Sequence, residues 1–182
     1  LRSIAIDPAP SGVQAEAIAG LAYTQIVQLH LAPDTDFWTR DGLPPAMWTD
    51  GPLERIFAVK ADGATVGLVA WINGDGATAL DLRNDAALEA LAQTEMKRLR
   101  PASEGKVRLL KAVRWTGRSS TAGGAYMHFA PGQVARWAGA MGAPLGRLRF
   151  AGEHLSHLHT GMEGACESGH AAALSILSEL GR

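Results

Sequence analysis

The sequence predicts an α+β fold in which a mixed β-sheet comes first and a strand–loop–helix unit comes last. Segments with strand character dominate the earlier part of the chain, and helical segments are interspersed among them irregularly. No G-x-G-x-x-G motif follows a first strand, so the chain alone does not supply a dinucleotide-binding βαβ unit. A short apolar segment, a glycine-containing turn and a long helical pattern then close the chain.

The first residues alternate between apolar and polar side chains. Residues 1–6 are typical of a strand already under way, and the chain does not begin with Met, so we expect a fragment, a processed subunit or a chain missing its upstream part. Residues 13–21 have a helical composition, and residues 23–31 are β-branched and alternating, which predicts a strand. Gln28 and His30 share one face of that strand. This face lines something polar or is the solvent-facing side of an edge strand.

The middle of the chain follows the same rules of periodicity and turn chemistry. Gly, Pro, Asn and Asp mark the turns, and apolar spacing separates helix from strand. The predicted elements are a long ordered loop over residues 34–51, a hairpin of strands 55–59 and 65–72 around Asp62-Gly63, a helix over residues 86–100 capped by Asn84 or Asp85, and a strand over residues 107–115.

Composition excludes several classes of protein. The 182 residues suit one or two domains, and 47% hydrophobic with 19% charged residues argues against disorder. A net charge of −1 gives no electrostatic footprint for nucleic acid or an anionic membrane. No apolar run could span a bilayer and no signal peptide pattern is present, so a cytoplasmic location is favoured. Cys166, the one cysteine, is expected to be a buried and inert thiol.

The segment of residues 147–173 has the most specific pattern. A strand through Leu148 and Phe150, a turn at residues 151–153 and a His-rich loop lead to a helix that begins at Thr160-Gly161 and reaches about residue 180. Free N–H groups in the first turn of such a helix favour an electron-rich ligand. Alternatively, the glycines of this unit serve only tight packing.

FAGEH followed by TGMEGACESGHAAA resembles the C-terminal signature of the flavin-containing amine oxidases, a family of monoamine, polyamine and L-amino-acid oxidases. The resemblance implies that Glu153 hydrogen-bonds the ribityl–pyrophosphate region of FAD. It also implies that the amides of Gly161 and Met162 stabilise negative charge at the N1–C2=O edge of the flavin. The cofactor-binding residues implied are Gly152, Glu153, Thr160, Gly161, Met162 and Ala165.

A second stretch, WTGRSSTAGGAYMHFAPG, resembles the part of the family that surrounds the flavin. On that resemblance Trp115 lies beside the site, and Tyr126 is one wall of an aromatic pocket over the ring. Monoamine oxidases carry a cysteine just before this aromatic residue and bind FAD covalently through it. Ala125 stands there in this chain, so non-covalent FAD is expected. The alternative is a turn that joins a strand to a helix over residues 133–141, with local core aromatics.

Two positions depart from the family pattern. Many members carry a lysine nine residues before a Phe-Trp pair, where it holds a water near flavin N5, and this chain has Gln28 there. Glutamine can hydrogen-bond a water but accepts no proton at neutral pH, and His30 is a possible substitute. Gly161 stands where monoamine oxidases have a tyrosine. The resemblance therefore implies a more open pocket, or one walled by His159, and a bulkier substrate such as an amino acid or arylalkylamine.

Three histidines in the His-rich loop could share a metal ion: His154, His157 and His159. No further residues with ligand spacing accompany them apart from Glu153 and Glu163, so we expect no metal site. A serine hydrolase is not favoured either, because there is no G-x-S-x-G motif.

The resemblance covers the back half of the family's architecture. Residues 1–116 are similar to part of the substrate-binding domain, and residues 117–182 to the C-terminal part of the FAD-binding domain. The implied function is oxidative deamination of a small-molecule amine or L-amino acid, by hydride transfer to flavin N5 with peroxide formation. The implied partner is the N-terminal FAD-binding portion or subunit of the same enzyme. The alternatives are a non-catalytic binding or regulatory subunit and a stand-alone interaction domain without flavin.

Overall fold

The computed structural model describes residues 1–118, 123–156 and 160–181, and these form two compact units. The larger unit is Thr24–Ala125. The smaller unit combines Leu1–Tyr23 with Tyr126–Arg182. The predicted combination of helices and sheet is confirmed. The boundaries of these two compact units differ from the predicted domain boundary at residue 116. The assignment of a substrate-binding and a cofactor-binding domain stays a prediction.

Helices and strands are numbered here in chain order. The helices are α1 (Gly12–Gly20), α2 (Trp38–Asp41), α3 (Gly74–Asp81), α4 (Asp85–Leu99), α5 (Gln133–Trp137) and α6 (Met162–Glu179). The strands are β1 (Ala22–Thr24), β2 (Ile26–Pro33), β3 (Met47–Trp48), β4 (Arg55–Ala61), β5 (Ala64–Asn73), β6 (Val107–Trp115) and β7 (Tyr126–His128). Short 3₁₀ turns lie at Pro101–Ser103 and Glu153–Leu155.

The larger unit is built on a five-stranded sheet in the order β3-β4-β5-β2-β6. Each pairing between these strands is antiparallel, so the expectation of a mixed sheet is wrong. For β4 and β5, the turn that joins them explains the antiparallel pairing. Asp62 and Gly63 have φ values of 50° and 81°, and such a two-residue turn places consecutive strands side by side in opposite directions. The predicted hairpin is confirmed.

One face of this sheet forms the main core. Val27, Leu29 and Leu31 on β2 are almost completely buried, as alternation predicts, and α4 packs against β6 with Leu88 and Met96 buried. The start of α4 is also as predicted, because the Asn84 side chain accepts a hydrogen bond of 2.9 Å from the Ala87 amide. The opposite face of the sheet is therefore the one left for Gln28 and its neighbours.

The smaller unit has a separate apolar cluster and a two-stranded sheet of β1 and β7. The helix predicted from Thr160-Gly161 to about residue 180 is confirmed as α6, Met162–Glu179. The helix predicted over residues 133–141 is shorter, because α5 ends at Trp137. Cys166 on α6 is exposed, so the prediction of a buried thiol is wrong.

Residues 1–6 form turns, and residues 148–150 form no strand, since Leu148 makes only an isolated bridge to Leu145. Both strand predictions are wrong because an alternating segment needs a neighbouring strand to pair with. No helix in the described part of the chain is long and apolar enough to cross a membrane.

Candidate functional site

Glu153 has one satisfied and one unsatisfied carboxylate oxygen. Its Oε1 atom accepts a hydrogen bond of 2.9 Å from the backbone amide of Met127 on β7. Its Oε2 atom is buried and has no hydrogen-bond partner among the described residues. An acceptor left unpaired in a buried position costs free energy, so it marks a place where a donor belongs. Tyr126 immediately precedes Met127 on β7, in the same compact unit as Glu153.

The turn before Glu153 requires glycine. Gly152 has a φ of 152°, and a Cβ atom at this position would collide with the imidazole ring of His154. Both backbone polar groups of Gly152 are held by Ser168 on α6. The Ser168 hydroxyl accepts from the Gly152 amide at 2.9 Å and donates to the Gly152 carbonyl at 2.8 Å. Sequence reasoning missed Ser168. Its signal is a buried polar residue one turn after Gly164 on a helix of small residues.

The N-terminus of α6 is open. Gly161 is the N-cap residue with a φ of 94°, it receives no side-chain cap, and a Cβ atom there would have no neighbour within 4 Å. Met162 is 86% exposed, and Thr160 and Ala165 are also exposed. The first amides of this 18-residue helix therefore point to space that the described residues leave free, which suits an electron-rich group.

The charge of Glu153 acts on two titratable side chains, those of His154 and Tyr23. Burial lowers the pKa of His154, while the charge of Glu153 opposes that shift. Burial also raises the pKa of Tyr23, and the charge of Glu153 raises it further, whereas Arg2 lowers it. Both groups are therefore held in their uncharged forms near neutral pH.

The larger unit places the other two candidate residues on one face of its sheet. Gln28 on β2 pairs with Trp71 on β5 and with Val113 on β6, and Trp115 is two residues beyond Val113. Residues at i and j±2 across an antiparallel pair lie on the same face within reach of long side chains. Gln28 and Trp115 are thus diagonal neighbours, and Trp115 is 45% exposed.

The same face carries aromatic residues that sequence reasoning missed. Arg55 pairs with Trp71, and its guanidinium lies 5.1 Å from the ring centroid of Trp48 and 5.9 Å from that of Phe57. Phe57 and Trp71 meet edge to face at 6.1 Å between centroids. Trp48 is 77% exposed. Only the strand register shows that these residues lie on the same face of the sheet as Gln28.

The histidine hypothesis is tested only in part. His157 and His159 lie outside the described residues, so the role of His159 as a pocket wall stays a prediction. Within the described ranges, no group of three or more His, Cys, Asp or Glu side chains could hold a metal ion.

Comparison with known families decides where the chain belongs. The family model described as flavin containing amine oxidoreductase matches residues 1–177. This chain is a member of that family. The predicted family is therefore confirmed.

Relatives of known activity share the fold at low identity. The L-amino-acid oxidase of Bungarus fasciatus is 24% identical over an alignment of 184 residues, which covers 97% of this chain and 35% of that protein. Cyclohexylamine oxidase from Brevibacterium oxydans superposes with a TM-score of 0.79 at 21% identity, over 97% of this chain and 40% of that one. Wild-type putrescine oxidase bound to putrescine gives 0.75 at 19% identity, over 96% and 40%. The chain thus spans less than half the length of these amine oxidases.

The residues of the smaller unit fit the flavin group that gives the family its name. Oε2 of Glu153 is the unpaired acceptor that a ribityl hydroxyl would satisfy. The open amides that follow Gly161 suit the electron-rich edge of the ring, and Gly161 itself presents no side chain. These are the features of this amine oxidoreductase that would hold a flavin.

Proposed function

We propose that this chain is the C-terminal part of an FAD-dependent amine or L-amino acid oxidase and contributes one side of the cofactor site. The observation that carries the proposal is the unpaired, buried Oε2 atom of Glu153, in the same compact unit as the uncapped N-terminus of α6. When bound, FAD supplies the redox chemistry: hydride transfer from the α-carbon to flavin N5, then peroxide formation as oxygen takes the electrons.

In this proposal the smaller unit binds the flavin and polarises its ring. Glu153 accepts a hydrogen bond from the ribityl chain, and its position is fixed by the Met127 amide. The amides of Gly161 and Met162 would hold the electron-rich edge of the flavin and would stabilise the negative charge of its reduced form. Tyr126 forms one wall of the substrate pocket. Gly152, Thr160 and Ala165 let the backbone approach the cofactor closely.

Non-covalent attachment is part of the proposal. Ala125 offers no nucleophile at the position where monoamine oxidases carry the linking cysteine. Denaturation is therefore expected to release the flavin.

The larger unit acts on substrate and water in this proposal. Gln28 holds a water near flavin N5, and Trp115 lies beside the reacting centre. The sheet face that carries Gln28 also carries Trp48, Phe57 and Trp71. Their apolar rings favour a bulky amine or amino acid over a small amine. The AMP-binding half of the site comes from the N-terminal portion of the enzyme, in the same or another polypeptide.

The proposal is tested on the purified polypeptide or complex that contains this chain. We expect a yellow protein whose flavin is released by denaturation, and whose visible absorbance is lost anaerobically on addition of one member of a panel of amines and amino acids. Admission of air restores the absorbance and yields peroxide. A folded, colourless protein that does not bind added FAD would contradict the proposal. A yellow protein that no substrate bleaches would indicate a non-catalytic flavoprotein.

The substitution Gln28→Lys tests the proposed place of this side chain. A positioned, charged proton donor is expected to accelerate reoxidation of the enzyme-bound flavin by oxygen by about 10²-fold, the lower end of general acid–base effects. Stopped-flow absorbance after anaerobic reduction measures this rate. Gln28→Leu is the matched control, because it fills the same half-buried position without charge. Equal rates in both variants would show that Gln28 lies away from the flavin.

A further inference from the structure

One row of side chains runs across all five strands of the sheet in the larger unit. Directly opposite residues in adjacent strands point to the same face of a sheet. The strand register therefore places five side chains in this row: Trp48, Arg55, Trp71, Gln28 and Val113. Arg55 is the charged member of these five. The row thus holds one cation among aromatic side chains, on the face that carries Gln28.

Arg55 contacts two aromatic rings, and a third ring completes the group. Its guanidinium carbon lies 5.1 Å from the ring centroid of Trp48 and 5.9 Å from that of Phe57. Phe57 in turn meets Trp71 edge to face, at 6.1 Å between centroids. We call these four residues the arginine cluster. Because Trp48 is 77% exposed and Phe57 is 42% exposed, the arginine cluster borders space that the described residues leave free.

Two hydrogen-bond donors of the arginine cluster lack acceptors. No carboxylate in the described part of the chain forms an ion pair with Arg55. The adjacent Glu54 is engaged elsewhere, since its Oε2 atom accepts from the amide and the side chain of Asn73 at 3.1 and 3.0 Å. The Nε1 atom of Trp71 is buried and has no partner among the described residues. A guanidinium and an indole donate but do not accept, so this cluster lacks an acceptor.

The charge of the sheet favours an anionic acceptor. None of its five strands contains Asp or Glu. Lys111 adds a second cation to the same face, because it pairs with His30, two residues along β2 from Gln28. Such a face attracts anions and repels the ammonium group of a diamine. A guanidinium matches a carboxylate in two parallel hydrogen bonds, so a carboxylate is the group that fits Arg55.

The arginine cluster lies at a distance from Gln28. Strand β5 separates β4 from β2, so the backbones at Arg55 and Gln28 are about 10 Å apart, at about 4.8 Å per strand. The rings that flank the guanidinium belong to β3 and β4. An α-carboxylate is bonded directly to the reacting carbon, at about 1.5 Å, and is too close to that carbon to span this distance. A carboxylate at the other end of the substrate can span it.

We propose that Arg55 determines specificity by binding a carboxylate at the far end of the substrate, several bonds from the carbon that is oxidised. The inference rests on the proposed function, because the place of Gln28 near flavin N5 defines which end of the substrate reacts. The substrate class is an amine that carries its carboxylate on an aryl or alkyl chain. That chain packs against the rings of Phe57 and Trp71, and the Trp71 indole supplies a second donor to the carboxylate.

A matched series of substrates tests the position of the carboxylate, on the purified polypeptide or complex that contains this chain. The series is 2-phenylethylamine, 4-(2-aminoethyl)benzoate and phenylalanine, which carry no carboxylate, a remote one and an α-carboxylate on one skeleton. We expect kcat/KM to be at least about 10-fold higher for the remote carboxylate than for the other two, because it alone pairs with the guanidinium. A preference for phenylalanine, or no discrimination within the series, would overturn the proposal.

Variants of Arg55 assign the preference to this residue. Arg55→Met keeps an apolar stem against the rings and is expected to lower kcat/KM for 4-(2-aminoethyl)benzoate by about 10- to 100-fold, with 2-phenylethylamine unaffected. Arg55→Lys keeps the charge without the planar fork and is expected to retain part of the preference. Lys111→Met, which removes the other cation, is the matched control and is expected to change it by less than about threefold. Equal losses on both substrates in Arg55→Met would mean that Arg55 only supports the sheet, and the proposal would be wrong.

A ligand that cannot react separates this inference from the proposed function. The probe is 4-ethylbenzoate, which has the carboxylate but no amine. We expect a saturable change in tryptophan fluorescence, because Trp48 and Trp71 belong to the arginine cluster; it should be lost in Arg55→Met and kept in Lys111→Met. Equal binding by the wild type and Arg55→Met would contradict the anion site even if amines bleach the flavin. A colourless protein that binds the probe through Arg55 would contradict the proposed function and leave the anion site standing.

Discussion

Replacing Glu153 with glutamine is expected to weaken FAD binding by about 10- to 100-fold. Hydrogen bonds to charged groups contribute about 1.5–3 kcal/mol, and this substitution removes the charge together with the acceptor that faces the ligand. Glutamine is chosen over alanine because its carbonyl oxygen can still accept the 2.9 Å hydrogen bond from the Met127 amide. The amide group then presents N–H donors where Oε2 of Glu153 has no partner. A ribityl hydroxyl would lose its acceptor while the turn itself is preserved.

The measurement is the dissociation constant of FAD from the apoprotein, followed by flavin fluorescence. Glu16→Gln is the matched control, because Glu16 is a carboxylate of the same unit that pairs with exposed Arg136. That control is expected to bind FAD as tightly as the wild type. If Glu153→Gln also binds normally while Glu153→Ala does not, the carboxylate serves only the Met127 contact, and the assigned role is wrong.

Cap and turn residues in the sequence predict those helices and strands whose ends they determine. The Asn84 cap fixes the start of α4, and Asp62-Gly63 fixes the hairpin of β4 and β5. The sequence predicts no helix at the position of α3, because Gly74 and Gly76 at its start disfavour one. Its start is supported from a distance, since Glu54 accepts hydrogen bonds from the backbone and side chain of Asn73 at 3.1 and 3.0 Å. Such a contact is invisible to local reasoning.

In the candidate site too, some residues follow from the sequence and others only from the structure. Resemblance identifies Gly152 and Glu153, whose sequence motif is contiguous. It does not show that Ser168 holds both backbone groups of Gly152, because that contact joins residues sixteen positions apart. The row from Gln28 through Trp71 to Arg55 depends on strand register, which alternation alone leaves undefined. Sequence therefore names the residues of a motif more readily than the partners that position them.

The substitution Asp41→Asn is expected to destabilise the larger unit by about 3 kcal/mol. Arg100 is only 4% exposed, and its Nε atom donates to Oδ2 of Asp41 at 2.5 Å. Its Nη1 atom donates to the Pro44 carbonyl at 2.9 Å, and its guanidinium lies 5.8 Å from the Phe37 ring centroid. Removing one partner of a buried pair leaves an uncompensated charge and costs about 3–5 kcal/mol. The lower end of this range of destabilisation is expected because the Asp41 side chain is 19% exposed, so water partly screens the pair.

The unfolding free energy is measured in urea by tryptophan fluorescence, with a lowered midpoint expected at an unchanged slope. Asp34→Asn is the matched control, because Asp34 and Arg108 are more than half exposed and 4.0 Å apart. Its cost is expected to stay below about 1 kcal/mol. The double change Asp41→Leu with Arg100→Met removes both charges and is expected to recover much of the loss, since apolar replacement of a whole buried pair is often neutral. Equal stability of Asp41→Asn and Asp34→Asn would mean that water reaches Arg100 and that the charge is not confined to the interior.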